Sequence, residues 1–80
     1  MTHTQILSEI QDVMRRVFDK ADLNIVDATM AKDVPEWDSL AHIELIVAIE
    51  KHFRLKFTLK EVQSCHNVGE MCDAIAQKVS

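Results

Sequence analysis

The chain predicts an all-α fold: a four-helix bundle with a short third helix and a long loop between helices 1 and 2. Three observations carry that prediction. The 80 residues include one Gly and one Pro, a composition with few tight turns. Apolar residues recur three and four apart along several segments, the period of a one-sided helix. Cap-type residues stand in front of those segments at the spacing that closes a helix N-terminus.

Helix 1 is predicted from about Thr4 to Lys20. Thr2 and Gln5 have capping-box spacing. Ile6, Leu7, Ile10, Val13, Met14, Val17 and Phe18 then fall on one stripe, with Gln5, Glu9, Asp12, Arg16 and Asp19 opposite. Residues 21–37 keep no period and are predicted as a loop. So long a loop in so small a domain is commonly functional. Leu23, Ile25, Val26, Met30 and Val34 are expected to tie it to the core, and Pro35 holds Val34 away from helical geometry.

Helix 2 is predicted from about Ser39 to His52, with Asp38 as its N-cap. Leu40, Ile43, Leu45, Ile46, Val47, Ile49 and Phe53 make more than half its circumference apolar, so it is expected at the centre of the bundle. Its exposed strip would then be Ala41, His42, Glu44, Ala48, Lys51 and His52. Thr58 and Glu61 repeat the capping-box spacing and open a short helix 3 at about 59–64. Asn67 and Glu70 open helix 4 at about 68–79, whose inward stripe is Val68, Met71, Cys72, Ile75, Ala76 and Val79. No repeat or low-complexity tract divides the chain, which reads as a single domain over 1–80.

Composition narrows the function. Nine basic against thirteen acidic residues give a net charge of −4, which argues against nucleic acid as a partner, since that would call for a basic stripe. No apolar run approaches membrane-spanning length and Met1–Gln5 has no signal-peptide pattern, so a cytoplasmic location is expected. Cys65 and Cys72 lack the CxxC spacing of zinc or redox sites. A Cys65/His66/Cys72 metal site would need a fourth ligand from His42 or His52, and two small apolar thiols are the preferred reading.

Ser39 is the candidate functional residue. Asp38 as N-cap puts Ser39 at the first helical position, its hydroxyl beside the positive end of the helix dipole and the unpaired N–H groups. A phosphate ester is favoured at such a position. A Ser39/His42 hydrolase pair is the competing enzyme reading. It lacks an acidic orienter, a Gly-bearing nucleophile turn and room for an oxyanion hole.

Asp38-Ser39-Leu40, followed by Ile43-Glu44-Leu45 and Ala48-Ile49-Glu50 with Phe53, resembles the signature of the acyl carrier proteins and related aminoacyl and peptidyl carriers. The order of helix, long loop, Asp-Ser-Leu helix, short helix and a Val68-Gly69-Glu70 start to the last helix extends the resemblance over essentially the whole chain. It implies a non-catalytic carrier. A phosphopantetheinyl transferase would attach 4′-phosphopantetheine from coenzyme A to Ser39 as a phosphodiester, and the arm's thiol would hold an acyl group as a thioester. Asp38 would cap the helix and help the transferase engage it. Leu40, Ile43 and Glu44 would belong to the face read by acyl-loading, condensing and acyl-transfer enzymes of fatty-acid, polyketide or related specialised biosynthesis. A monomer would suit a carrier that shuttles among such enzymes.

Departures from the family pattern refine the expectation. Many primary fatty-acid carriers have an acid two residues after the serine and more acids late in that helix. Here Ala41, His42, Lys51 and His52 take those places, with Glu44 and Glu50 as the remaining acids and Arg54 and Lys56 following. A less negative partner face implies a different set of partners. Pro35-Glu36-Trp37 stands where peptidyl carriers have a Gly-rich run, which favours an acyl or aminoacyl carrier over a peptidyl one. An unmodified helical adaptor is the remaining alternative, and Ser39 separates the two, because an adaptor does not need it.

Overall fold

The computed structural model describes residues 2–79. The chain runs α1 (His3–Val17), a single 3-10 turn (Ala31–Asp33), α2 (Ser39–Phe53), α3 (Leu59–Ser64) and α4 (Val68–Val79). The Thr2 hydroxyl accepts from the Gln5 N–H at 3.1 Å while the Gln5 side chain accepts from the Thr2 N–H at 2.8 Å, so the capping box closes α1. Thr58 and Glu61 do the same for α3.

Helix α1 ends at Val17, three residues before the expected Lys20. Asp19 takes a left-handed conformation (φ 52°), and the Lys20 N–H turns back to the Arg15 carbonyl at 3.0 Å. Neither Gly nor Pro announces this stop; Asp is among the few other residues that tolerate the left-handed region. Helix α2 runs one residue past the expected His52 and ends the same way, at left-handed Arg54 (φ 57°).

The core joins Ile6, Ile10, Val13 and Met14 of α1 to Leu45, Ile46 and Ile49 of α2 and to Val68, Met71, Cys72 and Ile75 of α4. Helix α1 packs on both α2 and α4, so α1 and not α2 is the shared partner of the bundle. The expected exposed strip of α2 is corrected with it. Ala41 and Ala48 pack against the core, while Leu40 (67% exposed), Ile43 (60%) and Val47 (43%) face out with Glu44 and Lys51. Positions 40, 43, 44, 47 and 51 lie on one side of a helix, so the surplus apolar residues of α2 form an outward ridge.

The long loop is pinned by side chains of α1. Arg15 donates to the Leu23 carbonyl at 2.7 Å and to Asn24 at 3.1 Å, and the Ile25 N–H donates to Gln11 at 2.9 Å. Leu23, Ile25 and Val34 are buried. At the far side the N–H groups of Val68 and Gly69 donate to the carbonyls of Thr29 and Asp27, both at 2.9 Å. A glycine suits this close approach: a Cβ on Gly69 would sit 3.1 Å from the Asp27 Cβ, close enough that the loop would have to give by a few tenths of an ångström.

Candidate functional site

The last turn of the loop delivers the chain to the start of α2. The Trp37 N–H donates to the Val34 carbonyl at 3.0 Å, and the indole is buried, with its ring 6.3 Å from that of Phe18. Trp37 therefore fixes the direction in which Asp38 and Ser39 leave the core.

Asp38 has extended backbone geometry, and its carboxylate accepts from the Ala41 N–H at 2.8 Å. The first backbone bond of the helix runs from the His42 N–H to the Asp38 carbonyl at 2.8 Å. The N–H groups of Ser39 and Leu40 precede it and have no intrahelical acceptor. Ser39 is exposed and makes no side-chain hydrogen bond among the described residues. Its hydroxyl thus stands open at the positive end of a fifteen-residue helix.

Beside it lies an open groove of about 600 Å³, lined among others by Trp37, Ser39, His42, Val62, Cys65 and His66. The His42 Nδ1 accepts from the Trp37 indole N–H at 3.0 Å. That bond places the imidazole's remaining proton on Nε2, so His42 helps to hold the loop. No Ser39–His42 pair forms among the described residues, and the hydrolase arrangement has no base. Trp37 does more than pack the loop, since it also walls this groove.

The remaining candidates separate by place. Leu40, Ile43 and Glu44 share the exposed side of α2 next to Ser39. Glu50 does not join them: its carboxylate accepts from the Phe57 N–H at 2.8 Å and closes the segment after α2. His52 is also structural, bridging to Glu9 at 3.0 Å and to Arg16 at 3.5 Å across the α1–α2 seam. The two cysteines fall on different elements, Cys65 capping α3 and Cys72 buried in α4, where burial pushes its thiol up to about 12.

Residues 4–75 match the family described as phosphopantetheine attachment site. The chain belongs to that family. It is similar to a solved structure of holo acyl carrier protein from Geobacter metallireducens. The two share 38% identity over 91% of this chain and 84% of that one, with a TM-score of 0.86. No curated protein sequence matches the chain. The chain is thus a non-catalytic, phosphopantetheine-binding carrier of the acyl-carrier type, and its family membership implies modification by a phosphopantetheinyl transferase. Among the described residues no helix is long and apolar enough to cross a membrane.

The local chemistry fits the cofactor. An anionic phosphodiester is favoured where the α2 dipole and the N–H groups of Ser39 and Leu40 point, and the adjoining groove has room along which an extended arm can lie.

Proposed function

We propose that Ser39 carries the 4′-phosphopantetheine and that the chain, as one carrier domain, presents acyl groups to the enzymes of a fatty-acid, polyketide or related specialised pathway. The observation that carries this reading is the open Ser39 hydroxyl at the capped start of α2, at the lip of the groove. The arm, when attached, supplies a thiol that holds the acyl group as a thioester. The protein's own work is positional. Asp38 satisfies the Ala41 N–H and keeps Ser39 in the first helical turn, and Trp37 with His42 anchors the loop that leads into it.

Leu40, Ile43 and Glu44 form the surface that partner enzymes read, extended by Val47. Apolar contact supplies the area of docking, and charge sets partner choice and on-rate. With Glu50 turned to the Phe57 N–H, the acid on this face is Glu44 and Lys51 follows it, which supports partners less basic than those of a strongly acidic carrier. A test is labelling with a fluorescent coenzyme A analogue by a broad-specificity transferase. Wild type should become fluorescent and Ser39→Ala should stay dark; a fluorescent Ser39→Ala band would place the arm on another residue and overturn the reading.

A further inference from the structure

In the N-terminal half of α4, where the long loop meets it, three unlike donors converge. A ring nitrogen of His3, a carboxylate oxygen of Asp27 and the Cys72 Sγ lie within 4.8 Å of one another. They come from the start of α1, the long loop and α4, so only the tertiary fold assembles them. His3 and Asp27 are exposed, whereas Cys72 is fully buried, which places the soft donor beneath a solvent-facing pair. Asp73 stands next to them, its carboxylate 3.7 Å from the His3 Nδ1.

We infer that His3, Asp27 and Cys72 form a binding site for Zn²⁺, with water in the fourth position. The donor set is one that zinc accepts, and a soft thiolate ligand disfavours the hard, oxygen-seeking Mg²⁺ and Ca²⁺ there. One thiolate and one carboxylate balance the charge of the ion. Tetrahedral zinc with bonds of about 2.0–2.3 Å sets its donors about 3.3–3.6 Å apart. The His3–Asp27 contact at 2.7 Å must open slightly and the longest separation must close by about an ångström, movements that two exposed side chains allow.

The site is built, not incidental to a mobile surface. Gly69 brings the loop onto α4: its N–H holds the Asp27 carbonyl at 2.9 Å, and its missing Cβ lets the Asp27 Cβ approach. On binding, the Cys72 thiol proton leaves to solvent, His3 ligates through Nε2 as the neutral imidazole with its one N–H on Nδ1 toward Asp73, and the Asp27 carboxylate exchanges its hydrogen bond to His3 for the metal.

The test uses the unmodified 80-residue chain, whose thiols are Cys65 and Cys72, and so stands apart from the question of the arm on Ser39. Titration with Co²⁺ should give a near-ultraviolet thiolate charge-transfer band that Zn²⁺ displaces. The band should persist in Cys65→Ser and vanish in Cys72→Ala. His3→Ala and Asp27→Asn, both at exposed positions, should each weaken the Co²⁺ affinity by at least the tenfold to hundredfold, on the order of magnitude, that losing an outer-shell partner costs. These two variants keep the test decisive if Cys72→Ala fails to fold. No band in wild type, a band lost in Cys65→Ser, or an affinity unchanged in both His3→Ala and Asp27→Asn would overturn the site.

Discussion

Ile43 and Ile49 lie six residues apart on the same helix and face opposite surroundings. Ile49 is 0% exposed in the core and Ile43 is 60% exposed on the ridge beside Ser39. The same truncation should therefore be read by two different assays. At Ile49, removal of a single methylene (Ile→Val) should cost about 0.5–1.5 kcal/mol, and Ile→Ala about 2–5 kcal/mol including the cavity left behind. A domain of this length has about 4–12 kcal/mol in all, so Ile49→Ala removes a large part of it. At Ile43 no cavity forms, and Ile43→Ala should stay within about 0.5 kcal/mol of wild type. Urea unfolding followed by circular dichroism measures both, with Ile49→Val kept as the variant that remains folded. The midpoint of Ile49→Val should fall and that of Ile43→Ala should hold. The rate of phosphopantetheine loading should then drop for Ile43→Ala and not for Ile49→Val. Equal destabilisation at the two positions, or loading indifferent to Ile43, would refute the division of α2 into a core side and a docking side.

Other consequences follow from single contacts. Asp38→Ala should cost about 1 kcal/mol by removing the cap on the Ala41 N–H, while Asp38→Asn keeps an acceptor and most of the stability, as thermal unfolding would show. Glu50→Ala should destabilise by about 1–3 kcal/mol because the half-buried Phe57 N–H loses a charged acceptor. Loading of Glu50→Ala, measured where it is folded, should be unchanged. The hydrogen bond to Asp27 raises the His3 pKa above its ordinary 6.5. The contact's contribution to stability is thus present below that value and is lost as pH rises through the folded-state pKa. An NMR titration of metal-free protein should show the raised value in wild type and its return toward 6.5 in Asp27→Asn.

Much of the molecule is legible in the chain because local rules act alone there. The capping pairs Thr2/Gln5 and Thr58/Glu61 and the i, i+3, i+4 stripe of α1 place helices without reference to anything distant. The Asp38 cap sets Ser39 at the first helical position in sequence and structure alike. What could not be read depends on tertiary partners. Apolarity around α2 says that it has surplus hydrophobic surface, but only packing against α1 decides that Ala41 and Ala48 go in while Ile43 and Val47 stay out. Residues 21–37 carry no period because their order comes from Arg15, Gln11 and the N–H groups of Val68 and Gly69. Glu50 looks like any helix-surface acid until Phe57 arrives, and Cys72 shows no ligand spacing because His3 and Asp27 are remote in sequence. Gly69 was the available signal for a close approach: the chain's one glycine sits inside a helix start, where propensity alone would disfavour it.

The central claim is that Ser39 bears the arm, and intact mass tests it most directly. Wild type and Ser39→Ala are incubated with coenzyme A, Mg²⁺ and a broad-specificity phosphopantetheinyl transferase, and each is weighed before and after. Wild type should gain one phosphopantetheine and Ser39→Ala none. An equal gain on both, or none on folded wild type with two different transferases, would contradict the claim.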